Sequence, residues 1–95
     1  MNKDMRILVV DDHGSMRRIV RRSLEELGLR NIEEAEDGAQ AFGLLRTLPF
    51  DFVITDRHMP HMDGIELLRT IRADPTLAAL PVLLVTAEQK REQIL

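Results

Sequence analysis

The sequence predicts an α/β domain in which a parallel sheet carries helices on both faces. Two observations support this fold class, and a third sets the number of domains. Short, nearly continuous apolar runs have the length and composition of strands that are buried on both faces. Segments with apolar residues at helical spacing stand between these runs, so strand and helix alternate along the chain. No repeat, linker or low-complexity tract interrupts the sequence, and we expect one domain, residues 1–95.

The composition excludes several classes of protein. Lys and Arg number 13 and Asp and Glu number 16, so the net charge of −3 argues against a protein that coats nucleic acid. Because the chain has no cysteine, disulfides and thiolate metal sites are excluded. No apolar run approaches the roughly 20 residues of a membrane span, and the N-terminus does not resemble a signal peptide. We therefore expect a cytoplasmic protein with no nucleic-acid or membrane partner.

The first predicted strand, Met5–Val10, is almost continuously apolar. A helix follows it, opening at Ser15 and ending at Gly28, a residue type that favours helix ends. Its apolar residues recur at helical spacing and form one face: Met16, Ile19, Val20, Leu24 and Leu27. We assign its charged residues to the opposite, solvated face: Arg17, Arg18, Arg21, Arg22, Glu25 and Glu26.

The middle of the chain predicts two more strands around a second helix. The strands are Asn31–Ala35 and the β-branched, apolar run Phe50–Thr55. The helix between them follows the Asp37-Gly38 turn and ends before Pro49. Its apolar face contains Ala41, Phe42 and Leu45.

The last third of the chain predicts a helix, a fourth strand and the beginning of another helix. The Asp63-x-x-Glu66 spacing is that of a capping box, and Asp74-Pro75 breaks the helix that it opens. The apolar positions of this helix are Ile65, Leu67, Leu68 and Ile71. Pro81–Val85 is the fourth strand, and Glu88–Leu95 resembles a helix start that is too short to be stable by itself.

Polar residues follow the predicted strands where parallel sheets bind their ligands. Asp11 and Asp12 follow the first strand, Asp56 the third and Thr86 the fourth. The carboxyl ends of parallel strands share one edge of a sheet, so we expect these residues to converge there. Each of them alone is also a common turn or cap residue. Their shared placement is what indicates a functional site.

Three converging carboxylates require positive charge, because a pair about 4 Å apart repels by about 4 kcal/mol at an effective dielectric of 20. Oxygen ligands favour a hard cation, above all Mg²⁺. An aspartate can attack phosphorus, so Asp56 is the predicted nucleophile and Thr86 a hydrogen-bond donor to the phosphoryl oxygens. His13, His58 and His61 also suggest a metal site, but Pro60 between His58 and His61 argues against helical zinc ligation.

Four motifs, in order along the chain, carry a family resemblance: Val9-Val10-Asp11-Asp12, Thr55-Asp56-Arg57-His58-Met59-Pro60, Met62-Asp63-Gly64 and Val85-Thr86-Ala87. Together they resemble the receiver domain of bacterial two-component response regulators, from about Met5 to the last residue. Residues 15–20, 71–74 and 80–83 are most similar to the chemotaxis (CheY-like) branch. The resemblance implies a flavodoxin-like, doubly wound parallel sheet of order 2-1-3-4, lacking the fifth strand and fifth helix.

The resemblance also implies a phosphorylation site and a metal site. Asp56 matches the aspartate that is phosphorylated. Asp11 and Asp12 match the acidic pair that holds Mg²⁺, Asp12 directly and Asp11 through water. Asp56 itself and the main-chain carbonyl of His58 complete the implied metal ligands.

Further residues match the parts of the family site around the phosphoryl group. Thr86 matches the switch hydroxyl that turns toward that group, with the N–H of Ala87 beside it. Pro60 and Gly64 match the loop that shapes the site. The implied phosphodonor is a histidine kinase of the CheA type. The flagellar motor switch is a doubtful partner, because its binding surface lies largely on the missing C-terminal part.

The sequence departs from the family pattern in two respects. His58 and Glu88 stand at positions that vary in the family and tune dephosphorylation, so we expect an altered lifetime of the phosphoryl group. The chain also ends before the fifth strand and the lysine that closes it, and neither Lys3 nor Lys90 matches that catalytic lysine. The fourth strand is then an open edge, which predicts a homo-oligomer or an element-swapped dimer.

Two functions stay open at this point. The first is a phosphoacceptor switch, which catalyses only its own phosphotransfer and dephosphorylation. The second is a truncated receiver that no longer signals and self-associates through its fourth strand. A Mg²⁺-dependent phosphatase fits less well, because phosphatases of the haloacid-dehalogenase type carry Asp-x-Asp after the first strand, whereas Asp11 and Asp12 are adjacent.

Overall fold

A computed structural model describes residues 2–85 of the chain. Its elements are β1 (Arg6–Val10), α1 (Gly14–Glu26), β2 (Asn31–Ala35), α2 (Gly38–Thr47), β3 (Phe52–Asp56), α3 (Gly64–Ala73) and β4 (Val82–Val85). The strands pair in parallel in the order β2-β1-β3-β4. The predicted fold class and strand order are therefore confirmed. Thr86, Ala87 and the helix start predicted at Glu88–Leu95 lie outside the described residues.

Helices cover both faces of the sheet. Because successive residues of β1 point to opposite faces, this strand contributes side chains to a core on each side. All residues from Ile7 to Val10 are buried, as the continuous apolar run predicts. The core on the side of α2 and α3 contains Leu8, Val10, Ala35, Ala41, Leu45, Val53, Leu67, Ile71 and Leu80. The smaller core on the side of α1 contains Ile7, Val9, Leu29 and Ile32, with Val20 and Leu24 packed against it.

Aspartate side chains begin two of the helices. The Asp37 carboxylate accepts a hydrogen bond of 2.8 Å from the N–H of Gln40 at the start of α2. The Asp63 carboxylate accepts one of 2.9 Å from the N–H of Glu66 at the start of α3. Such caps stabilise a helix by about 1 kcal/mol each. No helix within residues 2–85 is long and apolar enough to cross a lipid bilayer.

The predicted apolar face of α1 is wrong at two positions. Ile19 and Leu27 were expected in the core, but they are 59% and 60% exposed. Val20 and Leu24 make the contacts with the sheet instead. Leu27 follows the last residue of α1 and so does not report on its face. At Ile19, the face of α1 that meets the sheet is rotated toward Val20 and Leu24 relative to the face that periodicity predicts.

The rotation turns two arginines of α1 inward, although the sequence analysis placed them in solvent. The Nε of Arg17 donates a hydrogen bond of 2.9 Å to Oε1 of Glu34 on β2. The guanidinium of Arg21 donates to the main-chain carbonyl of Ile32 at 2.9 and 3.1 Å. These contacts fit the observed orientation of the helix, and helical periodicity gives no sign of them. Arg18 and Arg22 are exposed, as predicted.

Candidate functional site

The register of the central strands places the acidic residues side by side. Val10 of β1 pairs with Thr55 of β3. The residues that follow this pair are Asp11, directly after β1, and Asp56, the last residue of β3. They therefore stand at the same edge of the sheet, and Asp12 follows Asp11. This edge also lies at the point where the chain turns from β2 on one side of β1 to β3 on the other, which is the usual ligand site of such sheets.

The charges of Asp11 and Asp12 act on the carboxylate of Asp56. Burial raises the pKa of Asp56 above its usual value of 3.8, and the neighbouring charge of Asp11 raises it further. Hydrogen bonds from the main-chain N–H groups of His58 and Arg57 oppose this rise, and Asp12 adds a smaller upward contribution. The ionised form of Asp56 is thus disfavoured first by burial and then by its acidic neighbours. A bound cation would relieve that repulsion.

A histidine joins the acidic pair after β1. The Nδ1 of His13 lies 3.1 Å from Oδ1 of Asp12 and 3.3 Å from Oδ1 of Asp11. The side chains of Asp11, Asp12 and His13 are 13%, 28% and 68% exposed. These three groups are close enough to one another to hold a metal ion. His13 was a candidate metal ligand from its residue type, but nothing in the sequence placed it on the acidic pair.

The loop after β3 is held tightly against the main chain of the site. The N–H of Gly64 donates a hydrogen bond of 2.9 Å to the carbonyl of Arg57. A Cβ at Gly64 would collide with the main-chain oxygen of Asp56 and would lie 2.9 Å from Cδ2 of Leu84. A glycine is therefore required for this close approach. The role of Gly64 in shaping a phosphoryl site remains a prediction.

The structure shows where some of the predicted site residues lie, whereas others fall outside the described part of the chain. Asp11, Asp12 and Asp56 lie at one edge of the sheet, near enough for the charges of Asp11 and Asp12 to act on Asp56. Within residues 2–85, however, the group with mutually close ligand atoms is Asp11, Asp12 and His13, without Asp56. The main chain of His58 is at the site through its N–H, and its side chain is exposed. Pro60 is an exposed residue of the same loop. The roles assigned to Thr86 and Ala87 remain predictions, since both residues lie outside the described part of the chain.

One neighbour of the site was missed by the sequence analysis. The Nη1 of Arg17 donates a hydrogen bond of 2.6 Å to the main-chain carbonyl of Asp11. The apolar and charged pattern of α1 gives no sign of this contact. Only the packing of α1 against β1 and β2 makes it visible.

Asp56→Asn is expected to raise the free energy of unfolding of the metal-free protein at pH 7. Because folding raises the pKa of Asp56, ionisation costs more in the folded than in the unfolded protein. That cost grows as the pH rises from the unfolded value through the folded one. Asparagine removes it, with a gain of order 1 kcal/mol after allowance for solvent screening. Urea unfolding measures the gain, which should disappear as the pH falls below 3.8; a gain independent of pH would contradict this explanation.

Comparison with known proteins agrees with this arrangement. A family model described as the response regulator receiver domain matches residues 7–95. The chain is 56% identical over its full length to chemotaxis protein CheY-3 of Vibrio cholerae and covers 73% of that protein. It is 54% identical over 91 residues to the chemotaxis protein CheY of Pseudomonas aeruginosa, covering 96% of this chain and 73% of that protein. The crystallised chemotaxis response regulator CheY4 of Vibrio cholerae superposes with a TM-score of 0.79 at 31% identity, over 94% of this chain and 77% of that chain.

Proposed function

Because this chain belongs to the response regulator receiver domain family, we propose that it is a phosphoacceptor of a two-component pathway, phosphorylated on Asp56 in the presence of Mg²⁺. The observation that supports this most is the placement of Asp11, Asp12 and Asp56 at one edge of the sheet, where β1 and β3 end. The raised pKa of Asp56 adds to it, since it reflects burial and the proximity of the other two acids. Signalling by phosphorylation uses a local change of charge to reorganise a fold.

The residues at this edge suit a hard divalent cation. Carboxylate oxygens are the ligands that Mg²⁺ prefers. Asp12 and Asp56 would hold the ion directly and Asp11 through water, and the main-chain carbonyl of His58 is the further ligand that we propose. When bound, Mg²⁺ supplies the positive charge that offsets the repulsion among the carboxylates and attracts the phosphoryl oxygens.

The reaction that we propose is an in-line transfer to a carboxylate. An oxygen of Asp56 attacks phosphorus, and the bond between phosphorus and the donor breaks, so that the donor departs with the bonding electrons. The main-chain N–H groups of His58 and Arg57 stabilise the ionised carboxylate, while the N–H of Arg57 donates a hydrogen bond of 3.0 Å to the carbonyl of Val85. Thr86 and Ala87 are proposed to bind the phosphoryl oxygens of the product.

The two curated relatives described above are chemotaxis proteins by name, and we extend this to the pathway of the chain. A histidine kinase is the phosphodonor that a receiver domain implies, and a CheA-like kinase is our specific proposal. The chain is a signalling domain rather than a conventional enzyme. Catalysis of its own dephosphorylation, its cytoplasmic location and its relation to the flagellar motor switch remain predictions.

Intact mass spectrometry after incubation with acetyl phosphate and Mg²⁺ tests the proposal. We expect a gain of one phosphoryl group, which is lost with EDTA and in Asp56→Asn. Asp51→Asn is the matched control, because Asp51 lies beyond the opposite end of β3. It should be phosphorylated like the unsubstituted chain. Unchanged mass in the unsubstituted chain, or phosphorylation that persists in Asp56→Asn, would refute the assignment.

The alternative of a non-signalling, self-associating fragment has no support from the comparisons. Self-association itself remains a prediction. Within residues 2–85, β4 ends the strand order on its side of the sheet. Leu83 and Val85 on this strand are 50% and 39% exposed, which is the kind of apolar edge that can recruit another chain.

A further inference from the structure

The guanidinium of Arg17 connects helix α1 to both strands beside it. Its Nη1 donates to the main-chain carbonyl of Asp11 at 2.6 Å, and its Nε donates to Oε1 of Glu34 at 2.9 Å. The side chain is only 16% exposed. Because guanidinium is planar and its donors are fixed relative to one another, two simultaneous bonds determine its orientation. Arg17 therefore holds the end of β1 at a defined distance from β2.

The main chain at Asp11 is held from two directions. Its N–H donates a hydrogen bond of 3.1 Å to the carbonyl of Ala35 at the end of β2. Its carbonyl accepts the bond from Arg17. That carbonyl belongs to the planar peptide group that continues into Asp12. The orientation of this peptide plane therefore helps to determine where the Cα of Asp12, and hence its carboxylate, is placed.

We infer that Arg17 is a positioning residue for the acidic site, acting through the peptide group between Asp11 and Asp12. The inference deepens the proposed function and rests on it. Groups that orient metal ligands without touching the metal typically contribute about 10- to 100-fold to metal affinity. Glu34 supports the arrangement, because it accepts a hydrogen bond from Arg17 and keeps the guanidinium in place.

Arg21 allows this role to be separated from a merely structural ion pair. It lies one turn further along α1 and contacts the same Glu34 at 3.4 Å. Its remaining hydrogen bonds go to the carbonyl of Ile32. Ile32 lies near the start of β2, whereas Asp11 contacts the end of that strand at Ala35. Loss of Arg21 thus removes a similar ion pair and leaves the Asp11 carbonyl bonded.

Calorimetric titration with Mg²⁺ of Arg17→Met and Arg21→Met tests the inference. We expect Arg17→Met to bind Mg²⁺ about 10-fold more weakly, and Arg21→Met to bind it like the unsubstituted chain. Arg17→Lys keeps the charge but cannot reproduce the two-armed contact, so it should fall between the two. Equal affinities in the two methionine variants would overturn the inference. Full affinity in Arg17→Lys would also overturn it, since charge alone would then suffice.

A second measurement, without metal, separates failure of the inference from failure of the proposed function. The carbonyl ¹³C shift of Asp11 and the amide ¹⁵N shift of Asp12 should change in Arg17→Met and not in Arg21→Met. Absence of Mg²⁺ binding in the unsubstituted chain would refute the proposed metal site, whereas these shifts would still report on the Arg17 contact. Equal shifts in both variants would overturn the positioning role.

Discussion

Gly64→Ala is expected to lower the free energy of unfolding by about 3 kcal/mol. The added methyl group would collide with the main-chain oxygen of Asp56 and lie 3.0 Å from the Cα of Arg57. These are main-chain atoms at the end of β3, so they cannot move aside as the tip of a side chain could. The loss is a large part of the roughly 5–15 kcal/mol that stabilise a small domain.

Gly43→Ala is the matched control for this substitution. Gly43 lies on an exposed position of α2, and a Cβ there would meet no atom within 4 Å. Alanine should raise the free energy of unfolding by about 0.5–1 kcal/mol, because glycine is unfavourable in a helix interior. Urea denaturation followed by circular dichroism measures both variants. A loss at Gly64 no larger than about 0.5 kcal/mol would show that the loop does not press on the site as described.

Ile71→Ala is expected to cost about 3 kcal/mol of unfolding free energy. Ile71 is fully buried on α3, and its truncation would leave a cavity in the larger core. Ile19→Ala removes the same atoms from a side chain that is 59% exposed, so it should cost no more than about 0.5 kcal/mol. The same urea experiment compares the two variants.

The comparison of these two isoleucines tests the orientation of α1. If helical periodicity alone determined that orientation, Ile19 would be a core residue, and its truncation would be as costly as that of Ile71. Similar losses in the two variants would therefore contradict the rotation of α1 that turns Arg17 and Arg21 toward β2. A loss confined to Ile71→Ala agrees with it.

Much of the fold and the acidic site could be predicted because the information is local. The apolar runs that form β1 and β3 can be recognised in the sequence itself, and Asp11 and Asp56 stand at the ends of these strands. Parallel pairing then brings strand ends together, whatever the details of the helices. The capping-box spacing also located the cap at Asp63, since a capping aspartate acts within three residues of its own position. Asp37, which was predicted only as a turn residue, caps α2 in the same way.

Other features could not be predicted because they depend on contacts between distant segments. Arg17 lies inward because Glu34, 17 residues later, offers a carboxylate on β2. The same charged residue without that partner would favour solvent. The apolar spacing of α1 fits more than one rotation of the helix, and the partner decides between them. The contact of Gly64 with Asp56 likewise requires the path of the whole loop.

A titration with Mg²⁺ followed by the carboxyl ¹³C signals of the aspartates tests most directly whether one site unites the ends of β1 and β3. We predict that the signals of Asp11, Asp12 and Asp56 shift together along a single saturation curve, while that of Asp51 stays fixed. Shifts confined to Asp11 and Asp12, with Asp56 unmoved, would contradict a shared site, as would the absence of any saturable shift.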